Sequence, residues 1–386
     1  MVRRLFTRLL LSVCVFVVLG ITPGAAQGQT ALRISGQLDL AAAESDRLGV
    51  NRAFRGDSPF NPVRLRLFAQ KWVTPRIGVF SEILYDSSSG IRVNGAYAVI
   101  NEIGGETWLN GRFGLAPNPV GAFGLRSTYF NANPLIGLPL AWQYRTNLVG
   151  EGTSTFASLT GAAAGPGGGV PLLYDACWNI QWELLGEAGI FEYSFALTPG
   201  SLSNPAKSAD VEGQSWMARV GLTPAAGLRV GVSASEGPFL SAPTPDENGD
   251  LPYTAETNSF DQSLLGVDVE FLRGPFAIHA EVHASRWETP LVDDALDLTS
   301  GFVEVRYDIS PRWYAAGRVG TMRFGEIAPN GGGNALPWDA DLNRTEFALG
   351  YRASRGVLIK ADWQRTRTVG TGFTQNLFAT QLSTVF

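Results

Sequence analysis

The two histidines of the 386-residue chain, His279 and His283, flank Glu281 at alternate positions. In an extended strand, side chains at i, i+2 and i+4 stand on one face. Two imidazoles and a carboxylate on one side form a donor set that suits zinc. Strand neighbours two residues apart are separated by roughly 6.5–7 Å, so a metal there needs a ligand from an adjacent strand. Ser285 shares the face and offers a second chemistry, a hydroxyl nucleophile activated by histidine. That chemistry requires hydrogen-bond reach and a third orienting group. The spacing supplies neither, and the expectation is of no catalytic residue, no bound metal and no cofactor.

Charge alternates in the same way along much of the chain. Arg64, Arg66, Arg112, Arg219, Arg229, Arg318 and Arg352 fall on the polar sides of alternating segments, as do Asp39, Glu82, Glu192, Glu270, Glu281, Glu304 and Asp362. Faces of mixed charge suit the hydrated wall of a channel, and rows of charge tune which ions pass. The candidate pore-lining residues are Arg64, Arg66, Arg112, Arg126, Arg145, Arg219, Glu270, His279, Glu281, His283 and Arg318.

The elements that carry these residues read as strands. In Ala31 to Ala41, Leu32, Ile34, Leu38 and Leu40 oppose Arg33, Ser35, Gln37 and Asp39. Val63, Leu65 and Leu67 oppose Arg64, Arg66 and Gln70, while Val357, Ile359, Ala361 and Trp363 oppose Lys360, Asp362 and Gln364. A soluble sandwich would show the same alternation, so the connections decide. Tight turns at Val73–Arg76, Thr223–Gly227, Arg273–Pro275, Ile309–Arg312 and Ala353–Gly356 contrast with long polar segments at Ala43–Phe60, Ser235–Phe260, Glu288–Asp297 and Gly325–Asp341. That asymmetry belongs to an antiparallel transmembrane β-barrel with short periplasmic turns and long external loops. Trp72, Tyr85, Tyr307, Trp313 and Tyr351 lie near strand ends, where interfacial aromatic girdles form.

Sixteen strands are expected, near residues 31–41, 62–72, 76–86, 91–101, 106–115, 178–187, 189–198, 211–222, 227–235, 261–272, 276–286, 298–308, 312–323, 342–352, 356–367 and 374–386. Even counts from fourteen to eighteen also fit. Leu140, Trp142, Tyr144 and Leu148 alternate with Gln143, Arg145 and Asn147, and with Thr153–Thr160 they would add a hairpin.

At the amino end, Arg3, Arg4 and Arg8 precede an apolar stretch from Leu9 to Gly20 and small residues at Gly24 and Ala26. This is the pattern of a cleaved secretory signal peptide over residues 1–26, too short in its apolar core for a spanning helix. The remaining 27–386 form one barrel domain. Losing three arginines takes the formal charge from −5 to −8, a balance that argues against a nucleic-acid partner. Cys177 is then the one remaining cysteine, so no disulfide staples the chain.

The last strand places Phe378, Thr380, Leu382, Thr384 and Phe386 on one face. Phe378, Leu382 and Phe386 resemble the signal by which barrel-assembly machinery recognises outer-membrane proteins. The segment Trp108–Leu115 (WLNGRFGL) and the following Ala116–Gly124 (APNPVGAFG) resemble the Gly-Arg/Lys-Phe strand and Pro-Phe-Gly turn of phosphate-selective-type and related Gram-negative porins. With only Lys71, Lys207 and Lys360 beyond residue 26, the chain lacks the lysine-rich lining of a phosphate channel. Residues 116–177 resemble the constriction loop of general porins, and their apolar stretch Asn133–Trp142 (NPLIGLPLAW) is poorly suited to a solvated loop. In the inward version, Arg126 and Arg145 would face acidic groups across the pore. The resemblance implies an outer-membrane porin that lets small hydrophilic solutes or ions diffuse, embedded in outer-membrane lipid and open to assembly as a homotrimer. The alternative is a non-conducting barrel that sheathes a partner such as a cytochrome.

Overall fold

The computed structural model describes residues 31–45, 58–124, 129–150, 154–161, 169–174, 178–205, 213–241, 259–290, 292–330, 332–370 and 372–386. The signal-peptide expectation and Arg126 lie outside them. In chain order the strands are β1 (Arg33–Ser45), β2 (Val63–Trp72), β3 (Ile77–Asp86), β4 (Gly90–Ile100), β5 (Asn110–Pro117) and β6 (Trp178–Ala188). They continue with β7 (Phe191–Thr198), β8 (Ser215–Ala225), β9 (Leu228–Pro238), β10 (Asp261–Arg273), β11 (Phe276–Thr289) and β12 (Val292–Asp308). The last are β13 (Trp313–Phe324), the short pair β14 (Glu326–Ile327) and β15 (Leu336–Pro337), then β16 (Leu342–Ser354), β17 (Val357–Thr368) and β18 (Thr374–Val385).

β14 and β15 pair only with each other, while the other sixteen strands pair antiparallel in sequence and β18 returns to β1 to close the ring. Each of the sixteen expected segments forms one of these strands. Closure leaves no strand edge whose amides and carbonyls would face hydrocarbon unpaired. At the seam, Leu40 sits opposite Leu382. Phe386 adds a last reciprocal pair, its N–H donating to the Gly36 carbonyl at 3.0 Å and its carbonyl accepting from Gly36 N–H at 2.8 Å.

Side-chain alternation sorts the two surfaces. Val319, Phe347, Ile359, Phe378, Leu382 and Phe386 point outward and are exposed, whereas Gln37, Arg66, Glu82, Arg318, Glu346 and Asp362 point inward and are buried. Apolar side chains on the exposed face and charges on the enclosed one reverse a soluble protein's arrangement, and a bilayer makes that reversal favourable. Near the short-turn end, outward rings pair across strands: Trp313 with Tyr351 at 4.6 Å and Phe276 with Tyr307 at 4.8 Å between centroids.

Two segments differ from the sequence reading. Glu288–Asp297 is not a long loop: β11 runs to Thr289 and β12 starts at Val292, with a bulge between Trp287 and Thr289. Trp287, Val292 and Leu296 are buried there, so this rim is held by packing despite its acidic residues. Leu140–Gln143 and Phe156–Thr160 are helical turns rather than a hairpin, which removes the eighteen-strand alternative. All four residues of the first turn are buried, so its polar positions do not mark a solvent face.

Facing inward on β16, Gly350 lies opposite Tyr314, and a Cβ there would stand 2.0 Å from the ring. That ring is fully buried, and its hydroxyl donates to the Pro134 carbonyl at 3.0 Å, so it has little freedom to move. Gly350→Ala is therefore expected to destabilise the barrel by about 1–3 kcal/mol. Gly320→Ala, whose Cβ would meet nothing nearer than 3.5 Å, should leave stability near that of the parent. Thermal unfolding in detergent micelles, followed by the gel shift between folded and unfolded barrel, compares the two; equal losses would contradict the assignment.

Candidate functional site in the barrel lumen

Between β5 and β6 the chain turns into the ring, and its described residues bond to inward side chains on widely separated strands. Gly121 N–H donates to Ser233 Oγ of β9 at 3.0 Å, and the Ala122 and Phe123 amides both donate to Glu281 Oε1 of β11 at 2.6 Å. Six residues after Phe123, Tyr129 donates its hydroxyl to Glu82 Oε2 of β3 at 2.8 Å, and Phe130 N–H donates to Gln37 of β1 at 2.9 Å. Strands β3 and β11 stand eight places apart in the ring of sixteen, on opposite sides. Burial, reinforced by Glu82 nearby, holds the Tyr129 phenol well above its ordinary range, so it remains a donor.

The next stretch lies along the wall of β13, β16 and β17. Asp362 Oδ2 accepts from the Ile136 amide at 2.7 Å and from Gly137 at 3.3 Å, while Lys360 Nζ donates to the carbonyls of Asn133 and Leu135 at 2.9 and 3.2 Å. Arg318 donates to the Gly137 carbonyl at 3.0 Å and binds Glu304 and Glu346 at 2.5 and 2.9 Å. Arg344 donates to the Gln143 side chain and the Leu138 carbonyl. Leu135, Ile136, Leu138, Leu140 and Trp142 are all buried. Trp142 joins Phe123, Leu172, Phe239, Trp287 and Trp338 in one apolar cluster contributed by the loops and the strand ends beside them.

Other inward charges pair between adjacent strands or across one intervening strand. Arg66 meets Glu82 at 3.1 Å and Asp39 at 3.7 Å, and Arg64 meets Asp86 at 3.7 Å. Arg112 binds both carboxylate oxygens of Glu183, at 2.6 and 2.8 Å. Arg219 bridges Asp268 at 2.7 Å and Glu192, and Arg229 spans Glu192 at 2.5 Å and Glu270 at 3.2 Å. Such pairing is what lets charges leave bulk water at tolerable cost.

Exposure follows height along the strands. Beneath the loop, the side chains of Arg318 and Arg344 are 2% exposed and Glu346 is 0%, and Glu183 on β6 is equally buried at 1%. Toward the short turns, Arg112 is 16% exposed, Glu192 17% and Arg229 40%, and across the ring Arg352 is 22% and Asp308 31%.

The histidines fall into different surroundings. His279 Nδ1 faces Glu270 at 3.3 Å, whereas His283 lies 3.6 Å from Glu281 and meets the edge of Trp142, ring centroids 5.5 Å apart. Glu281 is occupied by loop amides, and Ser285 donates to the Ser263 carbonyl at 2.8 Å rather than to an imidazole. Among the described residues, no group of three histidines, cysteines or carboxylates converges as a metal site would require.

Arg64, Arg66, Arg112, Arg219, Glu270, His279, Glu281, His283 and Arg318 thus all project inward, spread over separate wall networks rather than one cluster. Arg145 donates to the Gly169 carbonyl inside its own loop at 2.9 Å. Asp362 and Lys360, which hold the loop, are legible as inward positions by alternation. Their backbone partners are not, because those lie more than two hundred residues away.

No protein-family model matches the sequence, and no curated protein matches it significantly. Solved structures do. An anion-selective porin from Comamonas acidovorans superposes with a TM-score of 0.62 at 9% identity, over 92% of this chain and 100% of the porin. A loop L8 deletion mutant of OmpT, an outer membrane protein of Vibrio cholerae, gives 0.58 at 11% identity over 93% and 100% of the two chains. OmpT folded in vitro is also matched in a trimer form, at 0.53 and 12% over 93% and 100%. OmpF of Salmonella typhi in complex with daunomycin gives 0.55 at 11% over 93% and 98%. At these identities the likeness is one of fold. A closed ring of sixteen antiparallel strands, apolar without and charged within, gives this chain the fold of a bacterial outer-membrane β-barrel porin.

Proposed function

We propose that the chain is a diffusion channel for small hydrophilic solutes and ions, narrowed by the segment 116–177 acting as a constriction loop. The observation that carries this reading is a loop tied across a charged lumen, from Glu82 of β3 to Glu281 of β11 and Asp362 of β17, with Arg112, Glu192 and Arg229 still partly exposed toward the short turns. A barrel that sheathed a partner protein would have to give over its interior, and here much of that interior holds the chain's own loop. Assembly as a homotrimer belongs to the same reading, by analogy with the trimer form of Vibrio cholerae OmpT.

Purified protein inserted into planar bilayers should give discrete ion currents, and well-inserted protein without conductance would defeat the proposal. Arg112, Arg219 and Arg229 stand beside Glu183, Glu192, Asp268 and Glu270, so attraction for either sign is largely offset. The reversal potential in a salt gradient should accordingly be small.

The loop attachment has its own test. Removing both anchors in Asp362→Ala/Lys360→Ala frees the amides of Ile136 and Gly137 and the carbonyls of Asn133 and Leu135. Single-channel conductance and its fluctuations should rise, and liposome swelling should admit bulkier sugars. Conductance and size limit identical to the parent would show that these bonds do not set the constriction.

A further inference from the structure

Three inward positions on adjacent strands are aromatic where their neighbours are charged. Phe68 of β2 shares its face with Arg64 and Arg66, Phe80 of β3 shares its face with Glu82, and Tyr97 of β4 lies directly opposite Phe80. The rings form a continuous surface: Phe68 to Phe80 spans 6.3 Å and Phe80 to Tyr97 4.9 Å between centroids. Trp178 stacks on Phe80 at 6.5 Å with planes 18° apart, and Tyr129 of the loop closes the other end 5.9 Å from Phe68. Gly95 leaves the room this needs, since a Cβ there would stand 2.1 Å from the Trp178 ring.

Phe68, Phe80 and Tyr97 keep part of their surface open. Apolar area facing a water-filled channel forgoes about 25 cal/mol per Å², and charged or amide side chains at the same alternate positions elsewhere on the wall avoid that loss. Around the rings stand donors and acceptors of both kinds. The Arg112 guanidinium lies 5.5 Å from the Tyr97 ring centre and is neutralised by Glu183, while the Tyr129 hydroxyl and Glu82 border Phe68. A flat apolar platform with a polar rim and balanced charge matches a solute with a flat C–H face, hydroxyls at its edge and no net charge.

We infer that this wall is a stacking site for neutral cyclic carbohydrates, a weak binding station on the solute path. The inference rests on the diffusion-channel reading and names its solute class. The test uses the full chain in planar bilayers, with the disaccharide cellobiose as probe and sorbitol, an acyclic polyol without a flat face, as control. Cellobiose should reduce the ion current saturably, and sorbitol only in proportion to its effect on bulk conductivity. Phe80→Leu and Tyr97→Leu, which keep apolar bulk without the ring, should weaken the cellobiose effect about tenfold. Phe195→Leu, a lipid-facing aromatic change, should block like the parent. Equal effects of cellobiose and sorbitol, or leucine variants that bind cellobiose like the parent, would overturn the inference. If no ion current is carried, the channel reading falls. Intrinsic tryptophan fluorescence titrated with the same two probes in detergent then decides the stacking site alone, a saturable change with cellobiose supporting it and no change overturning it.

Discussion

A bilayer interior offers backbone amides and carbonyls no partner, and the architecture of this chain follows from that constraint. Each strand must be flanked on both sides, so the sheet closes, β18 on β1, with Gly36 and Phe386 exchanging the last pair of bonds. Closure fixes the register. Because side chains alternate, a slip of one residue would send Arg66, Glu82 and Arg318 into lipid and Val319 and Phe347 into the lumen. The outward apolar face and the inward charged one are therefore two consequences of one pairing pattern.

The same constraint explains how a loop comes to lie inside. Residues entering the lumen bring backbone groups that need partners away from bulk water. The inward charges supply them: Asp362 and Glu281 accept from loop amides, and Lys360 and Arg318 donate to loop carbonyls. Each such charge gains partners it would otherwise lack under the loop. Buried ion pairs with good geometry are weak sources of net stability but strong penalties for misplacement. The Glu304–Arg318–Glu346 network is thus better read as fixing where the loop lies than as strengthening the barrel.

What could be read from sequence follows the range of the forces involved. Period-two alternation is local, so Leu38 against Asp39 or Ile359 against Lys360 shows a strand and its two faces without tertiary knowledge. The strand count survived for that reason. Glu288–Asp297 misled because its carboxylates mark loops by composition, while burial of Trp287 and Leu296 depends on residues such as Trp338 that are distant in sequence. Leu140–Leu148 misled in the opposite way, since its first four residues form a helical turn buried on every side, Gln143 included. The face shared by His279, Glu281 and His283 was legible. That Glu281 serves loop amides required knowing that Ala122 and Phe123 arrive beside it.

Phe68 and Phe80 show where the alternation rule holds more than composition suggests. Their parity places them with Arg66 and Glu82, yet an aromatic in a barrel strand is readily assigned to the lipid side, where Phe347 and Phe378 do lie. The lumen lining accordingly carries buried ion pairs under the loop, paired charges partly exposed toward the short turns, and an aromatic patch. The loop touches the first through Asp362 and Arg318 and the last through Tyr129, whose ring lies 5.9 Å from Phe68. One loop placement therefore links the ion-paired wall to the edge of the aromatic patch, held by bonds to Asp362 at one end and Glu82 at the other.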